Sequence, residues 1–300
     1  MQKIVPNVWC VRNAEEVAAF ITSAFENAHA EIESRYPHDG LLDIQREFAG
    51  RPLTVALTIS GMRFTLINAG EAFRPNPSIS FMINFDPLLF DDSEEYARAS
   101  LDRLWERLGE GGAVLMPLGE YPFSRRYGWV QDRYGINWQL ILTDPGGDPR
   151  PFIMTSLLFC GRAQNRAREA VEFYVSIFED AAAGMQVPYG QAIGPASAEA
   201  LMFSDFRIGE QWFTAADSAV AMESDFSPGM SLEVRCADQA EIDRLWAALS
   251  AVPEAEQCGW LVDRFGVSWQ IVPRDMGELM ERPGAFQRML DMTKIVIADL

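Results

Sequence analysis

The stretch GWVQDRYGINWQ at residues 128–139 is written again as GWLVDRFGVSWQ at residues 259–270. Seven of the twelve positions are identical, and most of the others exchange like for like: Val/Leu, Tyr/Phe, Ile/Val, Asn/Ser. Each copy reads as a strand, an Asp-Arg-aromatic-Gly turn and a second strand that ends in Trp-Gln. Strand alternation puts Trp138 and Leu140 on one face and Asn137, Gln139 and Ile141 on the other; Trp269 and Gln270 split the same way. The aromatic belongs to the core and the glutamine to the opposite face. The turn glycine and arginine read as structural, the glycine for the tight turn and the charge to cover the turn's carbonyls.

The repeat extends outward from there. LDRLWERL at 101–108 pairs with IDRLWAAL at 242–249, and FITSAF at 20–25 pairs with FYVSIF at 173–178, all four with helical spacing. Between them come β-rich runs: a hairpin from LTVALTI through Gly61 to RFTLINAG, its counterpart at 200–216, and the alternating strands SISFMINF at 78–85 and MSLEVRC at 230–236. The order in each half is β-α-β-β-β twice over. The Gly/Pro-rich TDPGGDPRP at 143–151 joins the halves, which divides the chain into 1–146 and 147–300. The segment 282–300 has no counterpart in the first half. Its spacing suits a helix that packs on the domain, a partner-binding tail being the other reading.

Composition narrows the chemistry. The chain has 300 residues, 48% of them apolar, and a net charge of −18, so phosphate backbones and anionic lipid are repelled and neither nucleic acid nor membrane is an expected partner. No run of about 20 apolar residues occurs, and the N-terminal stretch lacks a signal-peptide pattern, so the expected location is cytoplasmic. Lysine occurs only at Lys3 and Lys294, which leaves almost no candidate for Schiff-base or phosphate-loop chemistry. Cys10, Cys160, Cys236 and Cys258 show no metal spacing and are expected reduced and buried. His29 and His38 are the only histidines, expected on the surface, so multi-histidine metal sites and nucleophilic triads have little to work with.

The runs PNVWC…NAEEVAAF, NAGEAFRPNPSISFMINFD, LDRLW and GWVQDRYGINWQL, together with SLEVRCADQAEIDRLW…CGWLVDRFGVSWQIVP, resemble the PhnB-like, or 3-demethylubiquinone-9 3-methyltransferase-like, family. That family belongs to the vicinal oxygen chelate superfamily of glyoxalases, bleomycin-resistance proteins and dioxygenases. The resemblance implies an α+β chain: a tandem duplicated glyoxalase/bleomycin-resistance-type fold of four βαβββ modules whose strands curl into cups. Methyl transfer is not carried over, because no strand–GxGxxG–helix unit exists and GEGG at 109–112 reads as a helix stop.

In metal-using members of the superfamily the cup holds a divalent ion on His, His and Glu. The resemblance puts the matching positions at Asn7, Ser80 and Gln139 in the first half, and at Ser156, Ser231 and Gln270 in the second. None is a histidine or a carboxylate, and neutral amides and hydroxyls are weak ligands for zinc, iron or nickel. No cofactor is expected. What remains is a polar, aromatic-rimmed cup in which alternation adds Trp9, Met82, Asn84, Glu233 and Arg235. Gln139 and Gln270 read equally as amides that tie strands together. Glu233 is the candidate general base if the cup is dry, with an ion pair to Arg235 as the competing reading.

The expected function is binding of a small organic molecule without a strongly held metal. The alternatives are a metal-assisted lyase, isomerase or dioxygenase on non-standard ligands, or a degenerate protein whose cup is filled by its own side chains. A pseudo-dimeric monomer is the expected assembly, a homodimer the alternative.

Overall fold

The computed structural model describes residues 2–146 and 149–300; Gly147 and Asp148, within the expected linker, lie outside the described residues. Four modules follow one another. The first comprises β1 (Ile4–Val11), α1 (Ala14–Ala24), β2 (Ala28–Arg35), β3 (Pro52–Ile59) and β4 (Met62–Ala69). The second comprises β5 (Ile79–Phe85), α2 (Glu94–Gly109), β6 (Ala113–Tyr121), β7 (Ser124–Gln131) and β8 (Asn137–Leu142). The third is β9 (Ile153–Phe159), α3 (Ala167–Ile177), β10 (Ala181–Pro188), β11 (Leu201–Ile208) and β12 (Gln211–Asp217). The fourth has β13 (Met230–Cys236), α4 (Gln239–Leu249), β14 (Trp260–Val262) and β15 (Ser268–Pro273), followed by α5 (Met276–Met280) and α6 (Ala285–Leu290). This last module is one strand short of the expected βαβββ, and its β14 has only three residues.

The strands form two sheets, ordered β14-β15-β13-β1-β4-β3-β2 and β10-β11-β12-β9-β5-β8-β7-β6. Within a module the first strand runs parallel to the last, as β1 does to β4 and β5 to β8. Between modules the first strands pair antiparallel, β1 with β13 and β5 with β9. Each sheet therefore takes one module from each half of the sequence.

What each half keeps to itself is the helix-facing core. Phe64 of β4 meets Phe81 of β5 edge-on at 4.8 Å, and Phe25 after α1 packs against Trp138 at 5.3 Å. In the second half Tyr174 and Phe178 pack the same way on Trp269, at 5.4 and 5.9 Å. Burial of these rings is the main adhesive within a half.

The repeated dozen explains itself in this core. Asp132 Oδ1 accepts from the backbone N–H groups of Tyr134 and Ile136, and its Oδ2 accepts from the Trp138 indole at 3.0 Å. Asp263 does the same for Phe265, Val267 and the Trp269 indole, the last at 2.8 Å. One carboxylate thus closes the turn and fixes the buried ring, so Asp, Gly and Trp must recur together. The turn arginines are structural by another route than expected: Arg133 lies over Phe20 at 4.8 Å and Arg264 over Phe173 at 4.1 Å. GEGG closes α2 as expected, with Gly111 at φ +71° turning the chain toward β6.

The C-terminal segment is helical at α5 and α6, then lies irregularly against the seven-stranded sheet and ends in a 3-10 turn at Ile297–Asp299. The carbonyls of Met292 and Thr293 accept from the N–H groups of Cys258 and Gly259, each at 2.8 Å. Leu279, Ile295 and Leu300 form a satellite core with Val272. Three cysteines are buried, as expected, and Cys258, beside this tail, is only half-buried. His29 and His38 are both exposed.

Candidate functional site

The six positions sorted by half in the sequence are sorted by sheet in the structure. Asn7 pairs with Ser231 across the β1–β13 seam, and Gln270 donates from Nε2 to Ser231 Oγ at 3.0 Å. Ser80 pairs with Ser156 across the β5–β9 seam, and Gln139 Nε2 donates to the hydroxyls of Ser80 at 2.8 Å and Ser156 at 3.3 Å. Each cup is thus built across the two halves, a point the sequence left open: Asn7 joins Ser231 and Gln270, and Ser156 joins Ser80 and Gln139. The physical reason is the seam, since a central strand takes its second neighbour from the other half.

In the seven-stranded sheet the centre is an ion pair. Arg235 Nε lies 2.8 Å from Glu233 Oε1, and Asn7 Nδ2 is 3.4 Å from Glu233 Oε2. Both charged side chains are mostly buried, with 14% of the Glu233 and 21% of the Arg235 side-chain surface exposed, and the carboxylate is held by a guanidinium rather than left bare. Trp9 gives its indole N–H to the Gly70 carbonyl at 2.7 Å and packs edge-on against Phe73. Val272, which follows Gln270 on the same face, is covered by the C-terminal satellite core.

The eight-stranded sheet has no charge at the matching place. Met82 and Asn84 stand where the other sheet has Glu233 and Arg235, and Asn84 donates to the Pro151 carbonyl at 2.7 Å. Tyr127 Oη donates to Gln139 Oε1 at 2.7 Å, which fixes the amide so that its nitrogen faces the two serines. Burial pushes the Tyr127 phenol well up, so it stays protonated and donating at neutral pH. Tyr127, Tyr121 and Phe123 pack together with centroids 5.0–5.6 Å apart.

Three buried polar atoms beside this cluster have no hydrogen-bond partner among the described residues: Trp129 Nε1, Thr214 Oγ1 and Asn137 Oδ1. Trp129 is registered opposite Gln139 and Thr214 beside Ser156, so both side chains share the glutamine's face. The seven-stranded sheet has one such atom at its centre, Thr65 Oγ1, beside Asn7. A buried donor without an acceptor costs about 1–3 kcal/mol. Tyr127, Trp129 and Thr214 were missed in the sequence; alternation from the Trp-Gln strand into its hairpin neighbour carries the signal for the first two.

Neither sheet offers a divalent ion a charged donor set. The positions that meet in the eight-stranded sheet are two hydroxyls and an amide, already bonded to one another. Among the described residues no three His, Cys, Asp or Glu side chains gather where a metal could sit. Zinc, iron or nickel does not fit these donors.

Two cavities flank the sheets. One, of 420 Å³, runs past Trp9, Asn13, Arg74 and Gln131, and of the candidate cup residues only Trp9 lines it. The other, of 520 Å³, lies between α1, α2 and the segment after the linker.

A sequence profile described as 3-demethylubiquinone-9 3-methyltransferase matches residues 2–141 and again 151–272. The chain belongs to this PhnB-like family, in tandem copy. A PhnB protein from Bacillus cereus, described as a 3-demethylubiquinone-9 3-methyltransferase, is 32% identical over 47% of this chain and 100% of its own, with a TM-score of 0.39. Glyoxalase I from Zea mays is 10% identical over 93% of this chain and 95% of its own, with a TM-score of 0.51, a likeness of fold. No curated protein matches. The α+β fold of duplicated glyoxalase-type modules stands on the two profile matches, the likeness to glyoxalase I and the two sheets. No helix among the described residues is long and apolar enough to cross a membrane.

Proposed function

We propose that this PhnB-like chain binds a small, uncharged organic molecule in the cup of the eight-stranded sheet, without a strongly held metal. The observation that supports this reading is the neutral cluster of Ser80, Ser156, Gln139 and Tyr127 with the unpartnered Trp129 indole and Thr214 hydroxyl beside it. A ligand carrying an acceptor, such as a carbonyl or ether oxygen, would relieve the buried donors, and the aromatic trio would give it apolar contact. The seven-stranded sheet fits a structural role: its centre is an internal ion pair and its flank is covered by the C-terminal tail.

The test combines metal analysis with a ligand-panel thermal shift on the native chain. Well under one equivalent of zinc, iron, nickel or manganese is expected, with no change in Tm on chelation. Neutral carbonyl compounds should raise Tm in the wild type and not in Gln139→Ala. Stoichiometric metal that is lost in Gln139→Ala would replace this reading with a metal-assisted lyase, isomerase or dioxygenase. A cytoplasmic location and a monomer belong to the same proposal, since the chain supplies both modules of each sheet. Light scattering should give 33.6 kDa, not twice that.

A further inference from the structure

The 520 Å³ cavity between α1 and α2 lies outside both cups. Its walls include Phe25, Phe85, Phe90 and Phe152, and its polar residues include Arg103 and Arg107. The rings are fixed by one another: Phe85 stacks on Phe90 at 5.5 Å and meets Phe152 edge-on at 5.6 Å. Such a cavity is the size of ordinary small-molecule sites, roughly 300–1,000 Å³.

Neither guanidinium group has a carboxylate at hydrogen-bonding distance among the described residues. Arg107 donates from Nη1 to the carbonyls of Ala24 at 3.0 Å and Ser23 at 3.5 Å, and no carboxylate lies within ion-pair reach of it among the described residues. Arg103 bonds the Ser100 hydroxyl at 2.9 Å and comes no nearer than 3.9 Å to Glu26. Glu26 also lines the cavity, so an anionic ligand would take the place of this long ion pair.

Part of what builds the cavity has no counterpart at the matching seam of the second half. Between β5 and α2 the chain inserts a 3-10 turn, Pro87–Leu89, and Phe90, whereas α4 starts at Gln239, shortly after β13 ends at Cys236. The residue matching Arg107 is Ala248. The residue matching Arg103 is Arg244, which alone does the work of both arginines: it donates to the Ile177 carbonyl at 2.6 Å, as Arg107 does to Ala24, and reaches Glu179 at 3.4 Å, closer than Arg103 comes to Glu26. The duplication supplies a built-in reference, the matching α3–α4 seam, which lacks the 3-10 turn and the second arginine.

We infer that the α1–α2 cavity is a second ligand site, selective for a small carboxylate with an aromatic or otherwise apolar body. The forked donors of Arg103 and Arg107 match a planar carboxylate, and the four phenylalanines take its body.

Isothermal titration of the full chain with 2-naphthoate, and with 2-naphthamide as the uncharged comparator, tests this. Saturable binding of naphthoate below millimolar is expected, at least tenfold weaker for naphthamide. Arg107→Gln should weaken naphthoate at least tenfold, and Ser100→Trp, which fills the cavity and keeps both arginines, should abolish it. Gln139→Ala and Trp129→Phe, which alter the cup, should leave it unchanged, so this inference and the cup proposal fail separately. Equal affinity for acid and amide, binding lost in Gln139→Ala but kept in Ser100→Trp, or no saturable binding to the wild type would each overturn the inference. Melting curves of both cavity variants establish that each is folded; if Arg107→Gln is not, Ser100→Trp decides.

Discussion

The two cups of this molecule start from the same module and end differently. In the seven-stranded sheet the centre carries Glu233 bonded to Arg235, β14 is three residues long, and the C-terminal tail runs along its flank. In the eight-stranded sheet Met82 and Asn84 take those places, and the long β6–β7 hairpin brings in Tyr127 and Trp129. One cup closes on an internal ion pair and leaves only the Thr65 hydroxyl unpartnered at its centre; the other leaves the Trp129 indole, the Thr214 hydroxyl and the Asn137 side-chain carbonyl without partners among the described residues. The difference teaches that two sheets, each assembled from one module of either half, can keep the same backbone pairing and end with different chemistry at their centres.

The largest effects should come from what the cups share. Asp263→Ala strands two backbone N–H groups, the Trp269 indole and the Tyr174 phenol, which also donates to Asp263 at 2.7 Å. Asp132→Ala strands the same set without the phenol, since Ile21 occupies the matching place on α1. A loss of roughly 3–5 kcal/mol is expected for Asp263→Ala, with a smaller loss for Asp132→Ala, read by urea unfolding. Equal losses would break the asymmetry.

These carboxylates also have a pH signature. Burial raises the Asp132 carboxyl to about 6 from 3.8, against the lowering effect of the Trp138 indole and backbone N–H groups. A folded-state pKa above the unfolded one means the folded chain holds the extra proton between these values. This contribution to stability is therefore complete below about pH 3.8, falls as pH rises through the window, and is level above about 6. Burial raises Asp263 too. Asp132→Asn should flatten the slope of stability between these pH values, measured by unfolding titrations in matched buffers.

Next in size is the tail. Ile295 is fully buried against Val272, so Ile295→Ala should cost about 2–4 kcal/mol. A drop in Tm without any loss of cup ligand would sharpen the division between scaffold and site. Smaller still, Trp129→Phe should weaken the cup ligand by about tenfold, or 1.4 kcal/mol, while Trp260→Phe, its counterpart across from Gln270, should not. The smallest change is expected of Glu233→Gln, about 1 kcal/mol or less in stability for a partly exposed pair and none in ligand binding. A strong effect of Glu233→Gln on any turnover found would restore the general-base reading.

The repeated dozen, with its Asp, Gly and Trp at fixed offsets, was enough to read two homologous halves, their strand order and the faces of Trp138 and Gln139, because alternation and turn chemistry are local. The short last module was less legible: β14 and the tail that replaces its partner depend on contacts between Cys258, Gly259 and residues more than thirty positions away. The identities of the cup-floor residues were in the sequence, and so was their poverty as metal ligands, since that is a property of side-chain chemistry. Which of them meet was not. Asn7 with Ser231 and Ser80 with Ser156 are joined by pairing of first strands across the two halves, and hydrogen-bond registry between distant strands leaves no periodic trace in either. Tertiary structure alone decided that one cup closes on an ion pair while the other keeps the Trp129 indole and the Thr214 hydroxyl unpartnered, because burial of a polar atom is set by everything around it.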